Sequence, residues 1–127
     1  MDQASLISLS GADLLQEEHV VLQGVELEAR ASEFIYLIGR TGSGKSSLLK
    51  TLYGELPLTS GTGSVCGVDL RKLKQKKVHL LRRKLGIVFQ DFELLTDRTA
   101  EDNLQFVLKV TDWKDAGKRE HRIAEVL

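Results

Sequence analysis

Apolar and polar positions alternate along two stretches near the start of the chain. Residues 6–10 (LISLS) and 20–29 (VVLQGVELEA) have the period of two that is typical of strands with one buried face. Two later stretches, 33–39 (EFIYLIG) and 85–90 (LGIVFQ), are continuous apolar runs, which indicate strands buried on both faces of a parallel sheet. A short strand is also predicted within residues 61–70, where glycines permit turns. The pattern thus predicts antiparallel strands and a parallel sheet.

A helical period appears in residues 45–54 (KSSLLKTLYG). Leu48, Leu49 and Leu52 would share one face of this helix, and Gly54 stands where the helix would end. Because strands and helices alternate along the chain, the pattern predicts an α/β fold.

Three further helices are predicted later in the chain. The first is a short helix within the basic segment 71–84, indicated by Leu80, Leu81 and Leu85, and the last begins in residues 118–127 (KREHRIAEVL). Between them, residues 99–110 (TAEDNLQFVLKV) begin with Thr99 and Asp102. This pair has the spacing of a box that satisfies free N–H groups at a helix start.

Residues 39–46 (GRTGSGKS) match the pattern G-x-x-x-x-G-K-[ST] between a predicted strand and a predicted helix. Gly42 and Gly44 let successive N–H groups turn inward, which makes an anion site at the positive end of the helix. Lys45 would reach the β- and γ-phosphates of a nucleotide, and the Ser46 hydroxyl would hold Mg²⁺. The candidate nucleotide-binding residues are Gly39, Arg40, Thr41, Gly42, Ser43, Gly44, Lys45, Ser46 and Ser47.

The composition changes this picture little. A chain of 127 residues suits one domain or part of a larger one, and 42% hydrophobic with 28% charged residues is typical of soluble proteins. The N-terminus has no basic region followed by an apolar one, so no signal peptide is predicted. The single cysteine, Cys66, fits a reducing compartment and is predicted to be a small apolar residue in a strand.

Charge is unevenly distributed although the formal net charge is zero. Residues 1–33 contain seven acids and one base, whereas residues 71–84 (RKLKQKKVHLLRRK) contain eight lysines or arginines and no acid. This basic run is predicted to be a solvated helix face, and the alternative is a surface that faces anionic lipid or an acidic loop of a partner. No nucleic acid is expected as a partner, because no aromatic residue interrupts the run to stack on bases.

The phosphate loop alone leaves three classes open: a transporter-type ATPase, another P-loop enzyme such as a GTPase or small-molecule kinase, and a non-catalytic nucleotide-binding module. Residues 85–104 (LGIVFQDFELLTDRTAEDNL) favour the first, because an apolar strand that ends in glutamine before a DxxLL loop resembles the Q-loop of ATP-binding-cassette (ABC) ATPases. The resemblance extends over nearly the whole chain from about Leu6. Its details are similar to the cell-division branch of that family, with lipoprotein-releasing and macrolide-exporting ATPases as the close alternative.

The resemblance implies an ABC-type P-loop fold with an N-terminal antiparallel β subdomain and a parallel core sheet. Residues 1–127 would be the N-terminal portion of one ATP-binding domain, truncated before the signature motif. The β subdomain and P-loop core would span about 1–98 and the start of a helical subdomain about 99–127.

The same resemblance implies ATP and Mg²⁺ as cofactors, with Lys45 and Gln90 in catalytic roles and Ser46 and Gln90 at the metal. It further implies an integral-membrane permease as partner, a homodimer in the complete protein, and a cytoplasmic, peripheral location on the inner face of the cell membrane.

Two departures from the family pattern matter. The family stacks adenine on an aromatic residue before the P-loop, but residues 11–20 (GADLLQEEHV) contain none, so Leu15 or His19 would have to serve. The family also has an LSGGQ signature and an apolar strand that ends in Asp-Glu. The LSGAD at 9–13 precedes the P-loop in a predicted strand, and the strand ending at Asp69 is interrupted by Gly67, so neither is accepted as the missing motif. The chain alone is therefore expected to bind ATP without hydrolysing it.

Overall fold

The structure is a computed structural model that describes residues 4–127. Its first elements form a β-hairpin. Strands β1 (Ile7–Gln16) and β2 (His19–Ala29) pair antiparallel, with Ile7 opposite Ala29 and Gln16 opposite His19. Both predicted antiparallel strands are confirmed, and β1 continues six residues beyond its predicted end. The LSGAD segment at 9–13 lies wholly within β1, so it is strand as expected. There Asp13 accepts a hydrogen bond from the Gly24 N–H at 2.8 Å.

Two short strands complete the sheet. Strands β3 (Thr62–Val65) and β4 (Val68–Asp69) extend it in the order β2-β1-β3-β4, and every described pairing is antiparallel. The connection between β3 and β4 consists of Cys66 and Gly67, with φ of 49° and 79°. The prediction that Cys66 lies in a strand is therefore wrong, because a two-residue hairpin turn of this kind requires positive φ at both positions.

Helix α1 (Lys45–Leu52) packs against β1. Its buried face consists of Ser47, Leu48 and Thr51, whereas Leu49 is 51% exposed, so the predicted apolar face was wrong at Leu49. These polar residues can be buried because both hydroxyls form hydrogen bonds. Thr51 donates to the Ser47 carbonyl at 2.9 Å, and Ser47 donates to Gln16 Oε1 in β1 at 3.3 Å. The core between helix and sheet comprises Leu9, Ala12, Leu14, Leu48, Leu58, Val65, Leu70 and Leu81.

The basic segment forms a 3-10 turn, Gln75–Lys77, followed by helix α2 (Val78–Arg82). The predicted short helix is thus confirmed. Val78 and Leu81 are buried, and Leu81 belongs to the core described above, while Leu80 is 46% exposed.

The two continuous apolar runs, 33–39 and 85–90, do not form strands in the part of the chain that the structure describes. The first run is exposed throughout, with Phe34 80% exposed and Ile38 89%, whereas the second is only partly exposed: Val88 is 91% exposed, and Leu85, Ile87 and Phe89 are half-buried. The prediction of two paired, buried strands is therefore wrong for this chain. A parallel strand is buried only when neighbouring strands and covering helices enclose it, and the described residues supply neither to these runs.

Contacts divide the chain into two units, Met1–Gly86 and Ile87–Leu127. The second contains helices α3 (Ala100–Val110) and α4 (Ala116–Val126), which pack on each other. Helix α3 begins as predicted, since Thr99 accepts the Asp102 N–H at 3.1 Å and donates its hydroxyl to the Asp102 carboxylate at 2.8 Å. Among residues 4–127, no helix has the length and apolar character needed to cross a membrane.

Candidate functional site

The predicted phosphate loop, residues 39–46, leads directly into α1. Gly42 and Gly44 have φ of 78° and 80°, the left-handed region in which glycine is favoured. The Ser43 N–H donates to the Arg40 carbonyl at 3.0 Å, which closes a turn inside the loop. The first N–H groups of a helix have no acceptor within it, and the dipole makes that end positive. Two left-handed glycines at the start of a helix are backbone features that an anion site requires, and the anion site stays a prediction.

Gly44 also fixes the loop against the sheet. A Cβ at this position would lie 2.5 Å from Val21 Cγ1 and 3.0 Å from Leu22 Cγ, both on β2. A Cβ at Gly42 would meet no atom within 4 Å. Of these two left-handed glycines, Gly44 therefore has a packing reason for lacking a side chain, and its closeness to β2 places the start of α1 against the sheet.

Lys45 extends its ammonium back over the loop. Its Nζ donates to the carbonyls of Gly39 at 2.9 Å and Arg40 at 3.1 Å, so the charge lies beside the loop's first residues. A lysine ammonium has three donors, and these two bonds leave one of them available to an anion. These two carbonyls of the loop backbone therefore hold the lysine ammonium at the loop.

The two serines after Lys45 have different surroundings. Ser46 is exposed, and its hydroxyl can serve as an oxygen ligand for Mg²⁺. Ser47 is 5% exposed, and its hydroxyl donates to Gln16 Oε1 at 3.3 Å. Ser47 can therefore offer a phosphate its backbone N–H rather than its side chain. Sequence reasoning missed Gln16, and a polar residue at the end of a strand gave no signal for it.

Residues 11–20, which were predicted to contain the residue that stacks on adenine, include the turn of the β1–β2 hairpin. Leu15 lies opposite Val20, and Gln16 lies opposite His19. Leu14 is fully buried in the core, whereas the next residue, Leu15, is half-buried, and the pairing with β2 is irregular between the two. His19 is exposed and lies two residues before Val21, the residue that packs on Gly44. The hairpin end thus belongs to the same structural unit as the loop.

Gln90 lies in the second unit and is exposed. Two left-handed residues follow it, Phe92 with φ of 57° and Glu93 with φ of 48°. The backbone folds back there, because Phe92 N–H donates to the Phe89 carbonyl at 3.1 Å and Glu93 N–H to the Asp91 carbonyl at 2.6 Å. The role of Gln90 at the metal stays a prediction.

Asn103 organises the loop that follows Gln90. Its side-chain oxygen accepts the Leu95 N–H at 2.8 Å, and its amide group donates to the carbonyls of Leu95 at 3.0 Å and Thr99 at 2.9 Å. Sequence reasoning quoted Asn103 only as part of a motif. An asparagine four residues after a helix N-cap was the available signal, because from there it can reach back to the preceding loop.

The amino-acid sequence matches a protein-family profile described as ABC transporter over residues 22–127, which is most of the chain. The chain belongs to the ABC transporter family. Among its relatives, the cell division ATP-binding protein FtsE of Streptococcus pneumoniae is 39% identical over 106 residues, covering 84% of this chain and 46% of that protein. The methionine import ATP-binding protein MetN of Nocardia farcinica is 38% identical over 112 residues, covering 88% of this chain and 33% of that protein. The chain therefore spans less than half the length of these two relatives.

Solved ABC cassettes have the same fold. A dimeric ATP-binding cassette in a post-hydrolysis state with ADP and Pi superimposes with a TM-score of 0.77 at 27% identity, covering 94% of this chain and 54% of that one. The cbiO1 cassette of Clostridium perfringens superimposes with a TM-score of 0.81 at 21% identity, covering 95% of this chain and 48% of that one. The predicted ABC-type P-loop fold is confirmed by these likenesses. The predicted subdomain boundary near residue 98 stays a prediction.

The donor set of this ABC chain fits Mg²⁺ held together with a nucleotide. Among residues 4–127, no cluster of three or more His, Cys, Asp or Glu side chains could hold a metal by itself. Mg²⁺ commonly takes one or two protein oxygens together with waters and substrate phosphates. Ser46, exposed at the start of α1, is an oxygen donor of this kind beside the anion site.

Proposed function

We propose that this chain is the nucleotide-binding part of an ATP-binding subunit that works with an integral-membrane permease, in a complex that serves cell division. The observation that carries the proposal is the loop before α1, where two left-handed glycines and the Lys45 ammonium surround one end of a helix. The 39% identity to FtsE supports the cell-division role.

Each loop residue has a distinct part in holding ATP. The backbone N–H groups of residues 42 and 44–47 would donate to the phosphate oxygens, and Lys45 would turn its ammonium from the Gly39 and Arg40 carbonyls to the β- and γ-phosphates. Ser46 would hold Mg²⁺, which neutralises part of the phosphate charge when bound. Gln90 would approach the metal and the attacking water, and would report the nucleotide state to the permease.

These 127 residues are proposed to bind ATP without turning it over. The sequence contains no LSGGQ and no apolar strand that ends in Asp-Glu, so water positioning falls to Gln90 alone. Lys45 and the loop N–H groups stabilise negative charge, but phosphoryl transfer to water also needs the water held in line. Asp91 and Glu93 are the acids nearest to Gln90 in sequence, and the family resemblance gives neither of them that role.

The partners follow from the relatives. A second cassette is proposed as a homodimeric partner, supported by the dimer of the solved cassette with ADP and Pi. The complex would lie on the cytoplasmic face of the cell membrane, against the permease. Methionine import is the second candidate role, because MetN of Nocardia farcinica is 38% identical over a slightly longer stretch of 112 residues.

Nucleotide binding is tested by calorimetric titration with ATP, with and without Mg²⁺. Lys45→Ala should abolish binding, because it removes the charge that meets the β- and γ-phosphates. Lys74→Ala makes the same chemical change at an exposed lysine of the same unit and should leave the affinity unchanged. Equal ATP affinity in the wild type and Lys45→Ala would show that the loop is not the phosphate site.

Turnover is tested separately by phosphate release from Mg-ATP. Lys45→Ala serves as the contamination control, because a copurified ATPase would be unaffected by it. The expected result is no release above that control. Sustained release that disappears in Lys45→Ala would mean that this chain contains a complete catalytic site.

A further inference from the structure

Four residues of the basic run 71–84 are used to attach the run to its own unit. Arg71 Nη1 donates to the Gly61 carbonyl at 3.2 Å, and Lys84 Nζ donates to the Cys66 carbonyl at 3.1 Å. The other two are Arg82, which bonds the Tyr53 carbonyl at 3.1 Å, and Lys72, which pairs with Asp69 at 3.6 Å. The charges of these four side chains are therefore engaged in contacts that stabilise the fold.

Three lysines of the same run have no such use. Lys74, Lys76 and Lys77 are exposed, and within residues 4–127 their side chains form no hydrogen bond or ion pair. Lys76 and Lys77 precede the first turn of α2, where positive charge opposes the helix dipole. Their charge therefore does not stabilise the fold, and we call Lys74, Lys76 and Lys77 the lysine ridge.

Among residues 4–86, no acid forms an ion pair with the ridge. Glu28 pairs with Arg30 at 3.0 Å, and Glu55 pairs with Lys50 at 2.9 Å. Asp69 is used by Lys72. The charge of the ridge is therefore available to a partner outside the chain.

One apolar side chain accompanies the ridge. Leu80 is 46% exposed although its neighbours Val78 and Leu81 are buried. It follows Lys76 and Lys77 by four and three residues, a spacing that places side chains on one side of helical backbone. A leucine beside exposed lysines matches a surface that meets lipid headgroups with its charges and the acyl boundary with its apolar residue.

We propose that the lysine ridge and Leu80 dock this chain on an anionic lipid surface. The inference rests on the proposed function, since a subunit of a membrane complex works beside lipid. Charge complementarity supports the assignment, because the ridge is positive and its cations are unengaged. Lipid is favoured over nucleic acid because the exposed apolar residue is a leucine, which inserts between acyl chains but offers no ring for a base to stack on.

The test is co-sedimentation of the chain with vesicles of equal parts phosphatidylglycerol and phosphatidylcholine at low salt. Wild type should bind these vesicles, and Lys76→Glu with Lys77→Glu should weaken partitioning by about tenfold or more, because each lysine near an anionic surface contributes about fivefold. The neutral pair Lys76→Gln with Lys77→Gln should have an intermediate effect. Acidic residues are favourable next to the start of a helix, so the charge-reversed chain is expected to fold.

A matched control makes the same charge change away from the ridge. Lys114→Glu with Lys118→Glu alters two exposed lysines of the second unit and should leave partitioning close to wild type. Raising the salt should weaken the wild type more than the Lys76→Glu, Lys77→Glu chain. Equal losses in both double variants would overturn the proposal, because net charge alone would then explain binding.

Two further outcomes would also overturn it. Equal binding to pure phosphatidylcholine vesicles would assign the interaction to exposed apolar residues elsewhere, and binding to poly-glutamate without binding to vesicles would assign the ridge to an acidic protein partner. Every vesicle measurement is made without nucleotide. The vesicle result can therefore be interpreted even if the chain does not bind ATP, and the ATP titration can be interpreted even if the chain does not bind vesicles.

Discussion

Asn103 and Leu95 form a two-point hydrogen-bonded pair across eight residues of chain. The side-chain oxygen of Asn103 accepts the Leu95 N–H at 2.8 Å, while its amide group donates to the Leu95 carbonyl at 3.0 Å. One side chain thereby satisfies both backbone groups of a loop residue, as a paired strand would. The loop between Gln90 and α3 consequently ends in a segment that is fixed to the helix.

Asn103→Ala should release this loop. The substitution leaves the Leu95 N–H without its acceptor, while the Leu95 carbonyl keeps the Arg98 N–H at 3.2 Å. Loss of this exposed bond costs about 0.5–1.5 kcal/mol of local stability and should speed exchange of the Leu95 amide hydrogen by about threefold or more. Hydrogen exchange followed by NMR measures this directly. Lys109→Ala, an exposed position on the same helix, should leave that rate unchanged. An unaltered Leu95 rate in Asn103→Ala would show that the pair does not hold the loop.

Gly44→Ala and Gly42→Ala should differ in their cost to stability. Both impose a left-handed backbone on alanine, which costs about 1–2 kcal/mol. Only the Gly44 change also places a methyl group 2.5 Å from Val21 Cγ1, so its total loss should exceed the Gly42 loss by about 1 kcal/mol or more. Urea unfolding of the two variants gives the comparison. Equal losses would contradict the packing role assigned to Gly44.

Glu55, which lies just after the end of α1, should make a small, pH-dependent contribution to the free energy of unfolding. Its hydrogen bond with Lys50, then the one from the Tyr53 hydroxyl, lowers the pKa of the Glu55 carboxyl below its ordinary value of 4.5. A lowered pKa means that the stabilisation is present above pH 4.5 and is lost as the pH falls through the folded-state pKa. The side chain is 42% exposed, so solvent screening keeps the effect below about 1 kcal/mol.

The measurement for Glu55 is urea unfolding of the wild type and Glu55→Gln across that range. The wild type should be the more stable at neutral pH, and the difference should disappear in acid, where the carboxyl is protonated. A difference that stays constant with pH would mean that the ionised carboxyl is not its source.

Leu15→Tyr should tighten ATP binding under the proposed function. An aromatic face against a base contributes about 1–3 kcal/mol, which corresponds to about fivefold or more in the dissociation constant. Leu15 is only half-buried and lies next to the hairpin turn, so a ring there can extend into solvent and meet a nucleotide. His19→Tyr adds the same ring at the hairpin turn and should change the affinity less. A larger gain from His19→Tyr would assign adenine stacking to that position instead.

The sequence predicted the elements whose signals are local. The β1–β2 strands follow from an approximate alternation, and the start of α3 follows from the spacing of Thr99 and Asp102, because each depends on residues close in the chain. The glycines of the phosphate loop were likewise expected to turn the backbone, and Gly42 and Gly44 have positive φ.

The errors concern features that depend on distant residues. The runs 33–39 and 85–90 have strand composition, but a strand also needs a neighbour, which local composition cannot supply. Leu49 was assigned to the buried face because it is apolar, whereas the polar Ser47 and Thr51 lie inside once their hydroxyls find partners. The Gln16–Ser47 bond spans 31 residues and could be found only from the structure.

The exposed run from Phe34 to Ile38 has a consequence for handling this chain. Five uncharged, β-forming side chains in succession have the composition that pairs with copies of itself into ordered aggregates. Glu33 and Arg40 flank the run, and an in-register stack of copies would bring like charges together, a repulsion that salt screens. Aggregation through this run is therefore expected to begin at a lower concentration as ionic strength rises.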